Sequence, residues 1–188
     1  MCVKIKAKRL TVIALSVSLA MIFSFVESQI PLLAMVPGMK IGLANIVTVF
    51  LLYSLGLPEA MLVSLIRVCL SALLFGNLTS FIYSVTGAVV SLIAMVLAKK
   101  ILPFGVTGVS VIGALMHNAG QVGAACAVMG TAALAVYFIP LIITGTVSGV
   151  IIGVLAGIVA KRVTRFIYPK KCEKKSHPRK EKIKSHKI

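Results

Sequence analysis

Eight polar side chains lie inside or beside long apolar segments of this sequence, and they are the residues best suited to bind a ligand. Charged and amide groups are costly at membrane depth, so they are functional candidates there by default. Arg67 lies alone among apolar residues, and the stretch from His117 to Gln121 is the most polar one inside any apolar segment. We predict that eight residues bind substrate: Glu27, Lys40, Asn45, Arg67, Asn77, His117, Asn118 and Gln121.

The same residues also have structural interpretations. Arg67 can hydrogen-bond backbone carbonyls and extend toward the nearer membrane surface. The amides of Asn118 and Gln121, which share a helix face, can bond neighbouring helices instead of a ligand. The depth of these residues in the membrane favours ligand binding, because six of them fall in the outer half of the bilayer in the topology derived below. Together they predict an outward-facing pocket capped by residues 28–40. The six are Glu27, Lys40, Asn45, Asn77, Asn118 and Gln121.

The sequence lacks the motifs of common catalytic classes. It has no phosphate-binding loop for nucleotides and no Cys or His spacing typical of a metal site. It contains no Asp and only four Glu, whereas condensation of prenyl diphosphates needs clustered carboxylates to hold magnesium. No two acid–base candidates among Glu27, Glu59 and His117 share a predicted helix face. We therefore predict a protein that is not itself an enzyme and that uses neither a metal nor a cofactor.

Composition places most of the chain in lipid. The 188 residues are 59% hydrophobic and 13% charged, whereas a soluble domain carries about a quarter charged residues. The 151 residues from Leu10 to Ala160 contain only six charged side chains, too few for a surface in water. These six are Glu27, Lys40, Glu59, Arg67, Lys99 and Lys100. The fold class that this composition predicts is all-α: an integral membrane bundle of about six transmembrane helices.

Proline and glycine divide the apolar region into six predicted helices. Three domains follow: a basic N-terminus (1–9), the transmembrane domain (10–165) and a basic tail (166–188) without periodicity, which we predict to be disordered. The last helix is expected to kink at Pro140. The predicted helices cover residues 10–26, 41–55, a third from the turn at 56–59 to 75, 80–98, 106–129 and 132–160.

Basic residues flank the apolar region instead of forming a patch within it. Four of the 20 Lys and Arg residues precede Leu10 and twelve lie from Lys161 onward. By the positive-inside rule, six spans put both termini in the cytoplasm. This distribution argues against nucleic acid as a partner. The tail beyond 166 either is solvated or rests on anionic lipid.

Two patterns of small residues predict close helix packing. Four glycines at intervals of four form a stripe on the last helix, which suits packing within the bundle or docking of a second protein. Helix 1 has a weaker pattern at Ala14 and Ser18. The stripe consists of Gly145, Gly149, Gly153 and Gly157.

Several segments, in order, resemble one bacterial membrane family. PGMKIGLANI (37–46) resembles the family's PGxKLGLAN signature, and 59–67 resembles its EAxxVxxxR stretch. Residues 75–84 fit the turn and helix that follow, and 117–121 is similar to its AHNxGQ motif. The likeness covers about residues 10–165. The family is known as Gx transporters, also labelled heptaprenyl diphosphate synthase component I, and its six-helix plan resembles the S components of energy-coupling-factor vitamin transporters.

The resemblance implies two functions. One is an S-component-like transporter subunit in the bacterial cytoplasmic membrane. It would bind a vitamin, flavin or related small molecule and rely on a coupling protein and ATPases for energy. Ala14 and Ser18 would then be docking positions. The alternative is a non-catalytic accessory subunit of heptaprenyl diphosphate or quinone side-chain synthesis, whose partner is a soluble prenyl synthase subunit.

Overall fold

The computed structural model describes residues 2–29, 42–75, 78–101 and 103–167, and within these ranges it contains helices and no strand. The predicted all-α bundle is thereby confirmed. Its helices are α1 Cys2–Gln29, α2 Asn45–Ser54, α3 Leu57–Phe75, α4 Leu78–Ile101, α5 Val106–Met129, a 3-10 helix Ala132–Tyr137 and α6 Phe138–Ile167.

Five helical stretches among the described residues are long and apolar enough to cross a membrane: α1, α3, α4, α5 and the 3-10 helix with α6. Large apolar side chains such as Leu73, Ile143 and Ile151 remain exposed on the bundle surface, as lipid contact requires. The protein is therefore a multi-pass membrane protein. The second predicted span is shorter than expected, because α2 has 10 residues and covers about 15 Å, half of the hydrocarbon thickness.

Other helix boundaries differ from the predicted ones for local reasons. α1 extends beyond 10–26 at both ends and includes residues 28 and 29, which were assigned to the loop. A single helix over 132–160 was wrong, since a 3-10 helix precedes α6 and Pro140 lies in the first turn of α6. Proline is tolerated there because the first amides of a helix have no intrahelical partner. α5 has the predicted bounds and ends at Gly130, whose φ is 65°.

α5 is the central helix of the bundle. It packs most extensively against α4 and α6 and also contacts α2, while α1 packs mainly against α3. Glycines bring two of these helix pairs into backbone contact. A Cβ on Gly120 of α5 would lie 2.9 Å from the Cα of Gly87 on α4, and one on Gly149 of α6 would lie 2.8 Å from the Cα of Val111 on α5. Small residues permit such approach where lipid offers no hydrophobic driving force.

One end of the bundle collects the basic residues. Lys8 Nζ donates to the Phe166 carbonyl at 3.1 Å, and Arg9 forms a salt bridge with Glu59. These contacts place the beginning of α1, the beginning of α3 and the end of α6 at the same end. We call it the basic end, defined by Lys8, Arg9, Lys99, Lys100, Lys161, Arg162 and Arg165.

Candidate functional site

Six of the eight predicted ligand residues are buried in the bundle. We call these six the polar cluster, and each is at most 6% exposed. They come from α1, the beginning of α2, α3 and α5, so residues distant in sequence meet through tertiary packing. The polar cluster consists of Glu27, Asn45, Arg67, His117, Asn118 and Gln121.

Glu27 anchors the backbone that leads into α2. Its Oε1 accepts hydrogen bonds from the backbone N–H of Gly42 and, at 2.6 Å, from that of Leu43. Gly42 has a φ of 91°, a left-handed conformation that favours glycine. Two successive backbone N–H groups thereby bind one carboxylate oxygen, an arrangement typical of anion-binding turns. Glu27 therefore has a structural role in addition to any contact with a ligand.

Arg67 is the buried cation of the cluster. It is 5% exposed and interacts electrostatically with Glu27. Its Nε and Nη2 atoms have no hydrogen-bond partner among the described residues. An unsatisfied buried charged donor is costly, because the group has lost its hydration without replacement. The Arg67 guanidinium is thus suited to an acceptor supplied from outside the described part of the chain.

His117 and Gln121 occupy the junction of α4, α5 and the turn before α2. A Cβ on Gly87 would lie 2.9 Å from Gln121 Cγ and 3.1 Å from His117 Cε1, and one on Gly42 would lie 3.7 Å from His117 Cδ2. Both glycines therefore leave room that these side chains occupy. The same Gly42 position is 3.3 Å from Asn45 Nδ2, which connects α2 to the cluster.

Asn118 joins α5 to α6. Its Nδ2 donates to the Leu141 carbonyl at 3.0 Å, and a Cβ on Gly145 would lie 2.7 Å from that nitrogen. Gly145 is thus needed for the amide to reach α6. Asn118 Oδ1 and Asn45 Nδ2 are buried without a hydrogen-bond partner in the described ranges. The cluster therefore keeps one amide acceptor and one amide donor in addition to the Arg67 donors.

The remaining predicted positions lie elsewhere. Lys40, Asn77 and residues 30–40 of the predicted cap lie outside the described residues. Ala14 and Ser18 are exposed on α1. The glycine stripe faces α5: besides Gly149, a Cβ on Gly153 would lie 2.6 Å from Thr107 Cα, and Gly157 lies beside Val106.

Two further buried hydroxyl groups were not among the predicted site residues. Ser24 lies one turn before Glu27 on the buried face of α1, and Tyr83 lies one turn before Gly87 on α4. Neither hydroxyl has a hydrogen-bond partner within the described ranges. The sequence signal that could have identified them is helical spacing: Ser24 is three residues before Glu27 and Tyr83 is four residues before Gly87, so each shares a helix face with that residue.

The groups that the cluster leaves without a partner in the described ranges are hydrogen-bond donors and acceptors. The cluster offers hydrogen-bond donors from Arg67 and Asn45 and an acceptor from Asn118, while the Glu27 carboxylate is already held by backbone amides. Within the described ranges, no three His, Cys, Asp or Glu side chains lie together as metal ligands. A small molecule with both donors and acceptors would satisfy these groups better than the protein alone does.

The model of one protein family, described as heptaprenyl diphosphate synthase component I, matches residues 16–159. The match covers the whole polar cluster and most of α6, which is more than half of the chain. No curated protein and no solved structure matches this chain, so its likeness to S components remains a prediction. Component I is a non-catalytic accessory subunit, in agreement with the predicted lack of enzymatic activity. This chain belongs to the heptaprenyl diphosphate synthase component I family.

Proposed function

We propose that the protein is the substrate-binding membrane subunit of a small-molecule transporter, with the polar cluster as its binding site. The observation that carries this proposal is the buried Arg67 guanidinium, whose Nε and Nη2 have no partner among the described residues. Glu27 balances its charge, so the ligand need not be an anion but must offer hydrogen-bond acceptors. A vitamin, a flavin or a related molecule has this character.

The proposed topology has the basic end in the cytoplasm, as the positive-inside rule requires. Glu27 lies near the end of α1 opposite to the basic end, so the cluster would receive its ligand from outside. Lys40 and Asn77 would complete the site. Because the sequence has no nucleotide-binding motif, energy would come from a coupling protein and ATPases. Ala14 and Ser18, exposed on α1, are the proposed docking positions.

Replacing Asn118 by alanine tests the binding site. Asn118→Ala removes the bond to the Leu141 carbonyl and the free Oδ1 acceptor, and we expect bound ligand to fall about tenfold, since a lost hydrogen bond costs about 1.5 kcal/mol. The measurement is mass spectrometry of small molecules extracted from protein purified in detergent.

The matched control is Lys100→Gln, a change at an exposed residue of the basic end. We expect the control to retain the same molecule as the unmodified protein at about one per chain. Identical small-molecule content in all three proteins, or none in any, would contradict a binding site at the cluster.

A second function is favoured by the family match: an accessory membrane subunit of heptaprenyl diphosphate synthesis. The family's name implies a soluble synthase subunit as partner. The chain has no Asp, so that partner would supply the carboxylates that hold magnesium. The basic end, if cytoplasmic, is the surface available to such a subunit.

Co-purification from native membranes distinguishes the two functions. A coupling protein and ATPases bound to the affinity-tagged chain support the transporter subunit. A soluble Asp-rich synthase bound instead supports the accessory subunit and overturns the transporter proposal. Substitutions at the exposed Ala14 and Ser18, such as Ala14→Leu with Ser18→Leu, should abolish capture of the coupling protein only.

A further inference from the structure

A cavity that is separate from the polar cluster lies at the basic end. Its volume is about 470 Å³, and it lies between the end of α2, the beginning of α5 and the last turns of α6. Its walls have two characters. Val106, Gly157 and Ala160 form an apolar side, while Lys161 and Arg165 are the cations that line it, with Tyr53 and Thr164 beside them.

The charge at this cavity is positive, and no acid in the described part of the chain neutralises it. Lys161 and Arg165 are one turn apart, so both project from the same face of α6. Lys99 adds a further positive charge beside the cavity, since its Nζ lies 4.4 Å from the ring centroid of Tyr53, which lines the cavity. Among the described acidic residues, Glu59 pairs with Arg9 and Glu27 lies near the opposite end of α1. The cavity therefore attracts an anion.

The combination of an apolar wall and a basic rim identifies the class of ligand. A soluble anion would use only the rim, whereas a lipid with an anionic phosphate would use both surfaces. The cavity lies at the ends of helices that cross the membrane, where lipid headgroups are found. Basic pockets between transmembrane helices are known to bind anionic headgroups at that depth.

We propose that this cavity binds the headgroup of one anionic phospholipid, with Lys161 and Arg165 contacting the phosphate and the acyl chain lying along Val106, Gly157 and Ala160. The Thr164 hydroxyl is a further donor to the phosphate. This site is separate from the small-molecule site proposed above and does not depend on it.

The test is a titration of the full-length protein in detergent with phosphatidylglycerol, followed by native mass spectrometry of the one-lipid complex. Substituting both cations, in Lys161→Gln with Arg165→Gln, should raise the dissociation constant for phosphatidylglycerol about 30-fold, which is about fivefold for each charge removed. The matched control, Lys100→Gln with Arg162→Gln, removes the same charge from exposed positions that do not line the cavity. It should change the constant by no more than about twofold, since Lys100 and Arg162 do not line the cavity and their charges are screened by solvent.

Three further titrations complete the test. The charge-conserving pair, Lys161→Arg with Arg165→Lys, should keep the affinity of the unmodified protein, which would show that the charge at these two positions determines binding. Phosphatidylcholine and inorganic diphosphate should both bind more weakly than phosphatidylglycerol. Equal weakening in the control pair, or tighter binding of diphosphate than of phosphatidylglycerol, would overturn the proposal.

Discussion

Replacing Glu27 by leucine is expected to lower the free energy of unfolding by about 3–5 kcal/mol, the cost of removing one partner from a buried charge pair. The substitution removes the acceptor of the Gly42 and Leu43 amides. It also leaves the positive charge of Arg67 buried without the negative charge of Glu27 that stabilises it. The measurement is a titration with sodium dodecyl sulfate of protein in mild detergent.

Glutamine at the same position separates the two contributions. Glu27→Gln keeps an acceptor oxygen for the two backbone amides and removes only the charge, so a smaller loss of about 1–2 kcal/mol is expected. Combining it with Arg67→Met should reveal coupling of about 1–3 kcal/mol between the two positions. Additive effects of the two substitutions would show that Glu27 and Arg67 do not stabilise one another. A loss below about 1 kcal/mol for Glu27→Leu would contradict its anchoring role.

The second large effect is expected at Gly153. A Cβ at this position would lie 2.6 Å from Thr107 Cα and 2.9 Å from Ser110 Cβ. Because the first of these atoms is backbone, α5 and α6 must separate to admit a methyl group. Gly153→Ala should therefore lower the free energy of unfolding by about 3 kcal/mol, the upper range for overpacking, as measured by the same titration.

Gly157 is the matched control on the same stripe. There a Cβ would lie 3.6 Å from the nearest atom of Val106, an ordinary van der Waals distance. Gly157→Ala is expected to be neutral or to stabilise α6 by up to about 1 kcal/mol, because alanine favours helix over glycine. Equal effects at both positions would mean that the stripe does not determine the spacing of α5 and α6.

The candidate site was largely visible in the sequence because polar groups are rare in lipid-embedded segments. Glu27, Arg67 and the stretch 117–121 stood out against apolar neighbours, and the structure buries them. Their pairing could not be predicted in the same way. Arg67 had Glu59 on its own helix as the nearest acid in sequence, but Glu59 pairs with Arg9, and the charge near Arg67 belongs to α1. Which acid lies near Arg67 depends on how α1 is rotated against α3, and the residue pattern of a single helix does not specify that rotation.

Hydroxyl groups were harder to identify than charges. Serine and tyrosine are common in membrane helices and usually bond their own helix or lie at an interface. The buried Tyr83 and Ser24 are therefore recognised only when their helices are packed. Gly87 of α4 was missed for a related reason, since its close contact with Gly120 of α5 exists only once the two helices are packed.

Helix number followed from the sequence, but helix length did not. Apolar content and breaks at proline and glycine predicted about six helices, and α5 has the predicted bounds. The start of α2 was wrong because residues 43 and 44 form a turn, and Glu27 holds the backbone there from a distant part of the chain. Such a tertiary contact overrides the local apolar pattern.

The most direct test of the proposed binding site compares the unmodified protein with an Arg67 variant. Both are titrated with the small molecule that co-purifies with the unmodified protein. Equilibrium dialysis of the protein in detergent should give about one site per chain. Arg67→Gln should weaken binding by about 10- to 100-fold, because a hydrogen bond from a charged group is worth about 1.5–3 kcal/mol. Binding of equal strength to the unmodified protein and to Arg67→Gln would contradict the claim that the polar cluster is the ligand site.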